Sequence, residues 1–321
     1  FYFRFIFFSF FVYIFFNGSN LNKKYFSYCF LFTLVLLLFD SMLQYFIGTN
    51  IFGNASPSDR QITSFFETRR VLGSYLSRLS PLILFISVIY YKKNNLLFYF
   101  SIFIFLLSFF GIIISGERVS LVYYLIFFIF TLFILNIQIK YKLFTLFFFI
   151  FFILFNFSIN EKLSERFIDV TLKQYTHDNS FTLKNSPYYN FWVTSYILFK
   201  DNYYMGIGPK NFRIQCIGID IENGCSTHPH NIYVQLFSET GLIGTIPFIC
   251  IYMYFLFNFF KLMLKKNKIK NEIITYFSLL AIILNFFPFL PSGNFFGSWL
   301  SIFFYLPIGL YFYSLNNLEK I

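Results

Sequence analysis

The reactive side chains of this chain gather in residues 225–244, which run Cys225-Ser226-Thr227-His228-Pro229-His230-Asn231 and then Ile232 to Gly244. An imidazole gives and takes protons near neutral pH, so two histidines on either side of a proline point to general-base chemistry. Pro229 breaks any helix and stiffens the turn. Asn231 is placed to orient a side chain or to cap the helix that follows. Glu239 adds a carboxylate, and Gly241 and Gly244 would let that helix approach another closely. Upstream, Gly206-Ile207-Gly208-Pro209-Lys210-Asn211-Phe212-Arg213 holds a Gly-x-Gly pair. It follows no Rossmann strand and lacks a third glycine, so it reads as a tight turn rather than a nucleotide site.

Blander readings compete. His228 and His230 could be polar loop residues satisfied by backbone. Histidine is also a common metal ligand, but no Cys pair, His-Glu-x-x-His or acidic triad stands nearby to complete a site, so no metal is expected. Asp220-Ile221-Glu222 reads as a solvated turn. Cys216 and Cys225, nine positions apart, would pair in an oxidising compartment, while Cys29 and Cys250 fall in apolar runs and read as inert. Arg118 ends the short stretch Ser115-Gly116-Glu117-Arg118. Arginine at a span end either snorkels to the interface or grips phosphate.

The elements that position these groups follow from composition. Of 321 residues 57% are hydrophobic and 12% charged, with mean hydropathy +0.64, too little charge to cover a soluble domain of this length. The apolar residues form long unbroken runs, which read as membrane spans. Nine are expected, over about 1–16, 25–47, 75–91, 96–115, 119–139, 143–159, 242–260, 272–290 and 298–314. The chain opens on Phe1, and its first run lacks a basic leader and a small-residue cleavage site. It reads as the end of a span, with further helices expected upstream. The fold class is therefore all-α: a polytopic helical bundle with one large periplasmic loop. The expected layout is helices 1–6 over 1–159, the loop over 160–241, and helices 7–9 over 242–321.

The net charge of +11 sits in short loops, and nucleic acid is not expected as a partner. Lys23, Lys24, Lys92, Lys93, Lys140, Lys142, Lys261, Lys265, Lys266, Lys268 and Lys270 all fall on one side if nine spans alternate. The positive-inside rule makes that side cytoplasmic and puts the C-terminus there. The other side holds loop 48–74, the turn 115–118, loop 160–241 and the turn 291–294. Arg60, Arg69, Arg70, Arg166 and Arg213 share it with the histidines, most of them expected to face the surface. Loop 160–241 is too long for a passive connector. Within it Phe191, Trp192, Tyr196 and Phe199 have helix-like spacing and are expected to form an amphipathic segment on the bilayer surface.

At these residues the chain resembles the O-antigen ligase and polymerase superfamily, membrane glycosyltransferases that use lipid-linked sugars. The resemblance rests on His230-Asn231, nine residues, then Gly241-Leu242-Ile243-Gly244. The Gly-x-Gly stretch Gly206 to Phe212, the turn Ser115 to Arg118 and the single long outer loop add to it. It implies a glycan donor on undecaprenyl pyrophosphate and an acceptor hydroxyl on the lipid A core, for a ligase, or on another glycan unit, for a polymerase. It makes His230 the general base and arginines the pyrophosphate clamp, with Arg118 and Arg213 as donor-binding residues. Asn231, His228, Glu239, Gly241, Gly244, Gly206 and Gly208 form the supporting motif. The reaction is expected to need no metal and no cofactor, the lipid-linked glycan being a substrate, and to take place on the periplasmic face of a bacterial inner membrane. The chain departs from the pattern in 186–192, where a second arginine is usual and none stands. Arg213 or Arg166 would then substitute, Arg213 being favoured.

Two other classes compete. A lipid-linked glycan transporter would need ionisable residues near mid-bilayer facing a cavity. The spans read as almost free of charge, with Asp40 and Arg4 as exceptions. A structural scaffold gives no reason to gather two histidines and Glu239 beside a glycine-hinged helix.

Overall fold

The computed structural model describes residues 3–57, 61–177, 180–181, 186, 188–265 and 269–318. Arg60, Lys266, Lys268 and Pro187 lie outside them. The architecture is helical: α1 (Phe3–Asn17), α2 (Asn20–Ile47), α3 (Leu72–Tyr90), α4 (Asn95–Ile114), α5 (Arg118–Ile134), α6 (Ile139–Ile159), α7 (Glu161–Ser164), α8 (Val170–Tyr175), α9 (Tyr189–Asp201), α10 (Phe212–Gln215), α11 (Ile232–Leu264), α12 (Lys270–Asn285) and α13 (Ser298–Leu318). A π-helical turn joins α7 to α8, and the two-residue strands Thr176–His177 and Ser180–Phe181 pair antiparallel, a small departure from the all-helical expectation.

A helix stands at each of the nine expected places, but span-forming ability differs among them. Six, α2, α3, α4, α6, α11 and α13, are long and apolar enough to cross a membrane by length and composition, and α1 and α5 are shorter apolar helices. The expected span 272–290 is shorter than its apolar run. It stops at Asn285 because Pro288, Pro291 and Gly293 follow, and a proline removes a ladder donor and biases its predecessor away from helix. The expected span 242–260 begins ten residues earlier, at Ile232, where Asn231 Oδ1 accepts from the amides of Tyr233 (3.0 Å) and Val234 (3.1 Å).

The bundle has an inside. α12 is buried from Ile274 to Asn285 and α3 along almost its whole length, with α4, α5, α11 and α13 around them. By contrast α6 buries only Phe149, as expected of a helix whose other faces meet lipid tails. Phe149 stacks on Phe109 of α4 and Phe128 of α5. The helix ends sort into two faces. One carries the Lys-bearing turns, where Lys270 Nζ donates to the carbonyls of Ile89 and Tyr91, both at 2.9 Å. Among the described residues the other carries 48–57, 61–71, 115–117, 160–177, 188–231 and 286–297.

Loop 48–71 is tied to the second face by α2. Gln44, buried, accepts at Oε1 from the amides of Thr63 (3.0 Å) and Ser64 (2.7 Å) and donates to the Asn54 carbonyl (3.2 Å). Asp40, also buried, accepts from the Ile51 amide (2.7 Å) and Ser64 Oγ (2.5 Å). These two side chains deliver Arg69 and Arg70 to the face where the histidines lie. Gln44→Ala would leave two buried amides without an acceptor, at about 1–3 kcal/mol each. We expect hydrogen exchange at Thr63 and Ser64 to speed up in that variant, measured by mass spectrometry in detergent; unchanged protection would remove Gln44 from this role.

A candidate active-site cleft

Residues 202–244 fold around a break in α11. At Gly241 the backbone adopts φ 60° and ψ −161°, so the helix ladder is interrupted there. The broken ladder finds partners in the Gly-x-Gly segment. The amides of Ile207 and Gly208 donate to the carbonyls of Ser238 and Glu239, both at 2.9 Å. In return the amides of Leu242 and Ile243 donate to the carbonyls of Tyr203 (3.1 Å) and Tyr204 (3.2 Å). Such mutual satisfaction is what allows a helix break at membrane depth. Two glycines make the approach possible: a Cβ on Gly241 would lie 2.3 Å from the Tyr204 carbonyl oxygen, and one on Gly206 2.5 Å from the Glu239 backbone. Gly208 completes the turn at φ 93°. Gly244 does not serve helix–helix contact as its sequence context implied; what faces it is Thr240 of its own helix.

Glu239 lies at the centre of this arrangement. It is buried, and its carboxylate accepts from the amides of Lys210 (2.9 Å) and Phe212 (3.1 Å) and from Gln235 Nε2 (3.0 Å). Gln235, one turn earlier, also donates to Asn294 Oδ1 (2.8 Å) and accepts from the Phe295 amide (2.9 Å). Two side chains on one helix face thus tie together the segment bearing Arg213 and the turn 291–297. Cys216 and Cys225 are bonded, with Cα atoms 5.1 Å apart, which joins the end of α10 to the segment leading into His228.

The two histidines and four arginines line one cleft of about 670 Å³. His230 has φ 58°. Its carbonyl accepts from the Ser292 amide (2.8 Å), and its ring lies against those of Tyr188, Phe191 and His228 at 5.4, 5.6 and 4.1 Å between centroids. Ser226 Oγ stands 3.4 Å from His230 Nε2, and Thr227 Oγ1 3.0 Å from His228 Nδ1. Burial lowers the pKa of His230. Burial first, and then His230 and Arg213, push His228 down to about 4 against the opposing pull of Ser292. Both rings are therefore neutral at neutral pH, the state in which an imidazole accepts a proton.

The arginines are Arg69, Arg70, Arg78 and Arg213. Arg69, Arg70 and Arg213 are exposed side chains that nevertheless line the cleft. Arg78 is buried. Its Nη1 donates to Asn285 Oδ1 (2.9 Å), its Nε to Ser74 Oγ (3.3 Å), and its guanidinium lies over the Tyr123 ring at 5.0 Å. Arg78 and Glu272 are also ionisable residues within the expected spans, beyond Asp40 and Arg4, and the reading of those spans passed over both. The signal was present, since a charge inside an apolar run marks function by default. Asn285, Gln235 and Tyr188 were also missed, because nothing in their sequence neighbourhoods sets them apart.

Other expectations are placed differently. Arg118 does not line the cleft; its Nη1 donates to Thr171 Oγ1 at 2.9 Å, because α8 folds back over the turn 115–118. Arg166 likewise donates to the Gly116 carbonyl (3.3 Å). Glu117, beside Arg118, accepts from the amides of Gly73 (2.7 Å) and Ser74 (3.0 Å) and so caps α3. Burial pushes it up to about 7. The segment with Phe191, Trp192, Tyr196 and Phe199 is helix α9, but it faces protein. Trp192 Nε1 donates to the Pro229 carbonyl (3.1 Å), Phe191 contacts His230 and Phe199 meets Phe237, leaving Tyr196 exposed.

The described helices thus form a bundle with a polar, histidine- and arginine-lined cleft among its helix ends. A family model described as O-antigen ligase matches residues 103–249, just under half of the chain, from within α4 into α11. The matched stretch is similar to that family, and the similarity supports a membrane glycosyltransferase activity of the ligase or polymerase type. No curated protein and no solved structure matches the chain. The matched stretch holds both histidines, Arg213 and the glycines of the break. Arg69, Arg70, Arg78 and the turn 291–294 come from outside it.

Two measurements follow from this geometry. Glu239→Ala removes the acceptor of the half-buried Lys210 amide and orphans the buried Phe212 amide and Gln235 amide group, the buried ones at about 1–3 kcal/mol each. The segment 206–213 should then open, and trypsin should cut after Lys210 and Arg213 several times faster than in the unaltered protein. An unchanged digest would show that Glu239 does not hold the segment. The His228 pKa gives a pH dependence. With a folded-state value near 4 and an ordinary value of about 6.5, the unfolded chain binds more protons between these limits. The stabilising contribution is complete above about pH 6.5 and is lost as pH falls toward 4, by up to roughly 3 kcal/mol. The thermal midpoint should fall across that window, and less steeply in His228→Asn.

Proposed function

We propose that the protein is an O-antigen ligase-like glycosyltransferase of the bacterial inner membrane. It transfers a glycan from undecaprenyl pyrophosphate to a sugar hydroxyl of the lipid A core on the periplasmic face. The observation that carries this reading is the single cleft in which neutral imidazoles and four guanidinium groups meet. A pyrophosphate leaving group needs fixed positive charge, and a sugar hydroxyl needs a base. Sidedness is argued from lysine-bearing turns on the opposite face. The layout proposed is membrane helices over 1–159 and 242–321, with the catalytic segment between.

In the proposed step the acceptor hydroxyl gives its proton to a ring nitrogen of His230 while its oxygen forms a bond to the anomeric carbon of the donor. The anomeric carbon–oxygen bond to phosphate breaks, and its electron pair leaves with undecaprenyl pyrophosphate. Arg213, beside His228 at the mouth, and Arg78, on the floor, stabilise the charge that develops there. Such preorganised donors act most strongly where water is excluded. Arg78 is held by Asn285 and Ser74 before substrate arrives, so no reorganisation is needed at the moment of reaction. Asn231 and the Ser292 amide fix the backbone that presents His230. Arg118 acts at one remove, through the segment it anchors at Thr171.

The test is to delete the gene, run the cell's lipopolysaccharide on a gel, and complement with His230→Ala. Loss of every glycan-bearing band with lipid-linked polymer accumulating, unrelieved by the variant, is expected. A core carrying a single repeat would instead make the protein a polymerase. An unchanged ladder, or full rescue by His230→Ala, would overturn the ligase reading or the base assignment respectively. Removing the base should cost at least about 100-fold in transfer rate.

A further inference from the structure

Val71 stands at the N-cap position of α3 and has no side-chain polar atom with which to cap it. The first amides of α3 are served from another helix. Glu117 occupies the N-cap position of α5, yet its side chain makes no cap bond to the α5 backbone. It crosses to α3, where Oε1 accepts from the Gly73 amide (2.7 Å) and Oε2 from the Ser74 amide (3.0 Å). Ser120 Oγ adds a third donor at 3.0 Å. The approach depends on Gly73, because a Cβ there would lie 2.4 Å from Ser115 Oγ and 3.1 Å from Glu117 Cβ. Ser74 carries the connection onward: its Oγ accepts from Arg78 Nε at 3.3 Å. One residue thus stands between the Glu117 carboxylate and the Arg78 guanidinium.

We propose that Glu117 is a positioning residue for the transfer reaction: by capping α3 and fixing Ser74 it aims the Arg78 guanidinium at the leaving pyrophosphate. This rests on the reading of the cleft as the pyrophosphate site. Among the described residues Glu117 is the one carboxylate that lines the cleft. A carboxylate in a cleft that takes an anion repels its ligand, so its presence there needs another reason. Its oxygens are turned to three donors at the positive end of α3, where a negative charge is favourable. Asn285 Oδ1 holds Arg78 Nη1 at 2.9 Å, so the planar guanidinium is tethered at two nitrogens. Without the Ser74 tether it keeps its charge but can swing about the other bond. Two simpler roles make different predictions. A role through charge alone would have Glu117 weaken anion binding, so removing the charge would tighten it. A role in the stability of α3 alone would affect binding whether or not Arg78 is present.

The experiment titrates inorganic pyrophosphate into the full chain in nanodiscs by calorimetry. The unaltered protein, Glu117→Gln, Arg78→Gln and the double variant form a double-mutant cycle. Glu117→Gln should lower affinity about fivefold and Arg78→Gln about tenfold, and the double variant should bind no more weakly than Arg78→Gln alone. Ser74→Ala removes the acceptor of Arg78 Nε and leaves the cap in place. It should also weaken binding, and only where Arg78 is present, which keeps the inference testable if Glu117→Gln does not fold. Tighter or unchanged binding in Glu117→Gln would overturn the positioning role, as would a loss of equal size beside Arg78→Gln. Ser74→Ala binding like the unaltered protein would overturn the path through Ser74. These outcomes leave the pyrophosphate site in place. No binding by the unaltered protein, or no loss in Arg78→Gln, would instead overturn the pyrophosphate reading, and the role of Glu117 would fall with it.

Discussion

The carboxylate of Glu239 sits two residues before the break in α11 and, with Gln235, holds both sides of the site to that helix. It accepts from the backbone of the Gly-x-Gly segment and from Gln235, whose other bonds reach the turn 291–297. Two pieces of chain far apart in sequence are thereby fixed to one helix face. A buried carboxylate is costly unless its acceptor capacity is filled. Here the filling groups are the backbone amides of Lys210 and Phe212 and the side-chain amide of Gln235. The cost of burying the charge and the cost of leaving amides unpaired offset each other, and the geometry of the cleft is the result.

The same economy of backbone groups explains the break itself. Lipid tails offer no hydrogen bonds, and apolar side chains gain little by leaving lipid for protein, so a membrane bundle is ordered chiefly by packing and by polar satisfaction. The gap at Gly241 exposes carbonyls and amides that the segment 203–208 satisfies one for one. Gly206 and Gly241 are needed because each backbone passes where the other's Cβ would be. The histidine segment, which enters α11 through the Asn231 cap, is thus anchored from both ends.

The positive charge of the cleft is built in layers. Arg78 is fixed in the floor by Asn285, Ser74 and the Tyr123 ring, and Glu117 caps the helix that carries it. Arg69 and Arg70 arrive on a loop that Asp40 and Gln44 tie down from α2, and Arg213 arrives on α10. One cation of the cleft is thus buried and held, and three are exposed. His228 and His230 stay neutral because the same protein walls that bury them disfavour their charged forms.

Much of this was legible in the residues alone. Unbroken apolar runs mark the helices because no water is present to satisfy backbone elsewhere. Lysines sort the turns, and the spacing from His230-Asn231 to Gly241 and Gly244 marks the site, because a cap, a helix of fixed rise and a break must follow in that order. What the chain order could not show was which arginines share the cleft. Arg118 stands beside the matched motif yet is turned to Thr171, while Arg78 lies inside an apolar helix and lines the floor. That choice depends on how α3, α5 and α12 pack, through contacts such as Arg78 to Asn285 across 207 positions of chain. The residues determined a helical membrane protein with a basic, histidine-bearing site. Only the tertiary structure decided which charges meet there, because a side chain's direction is set by the helix faces that pack, not by its neighbours in sequence.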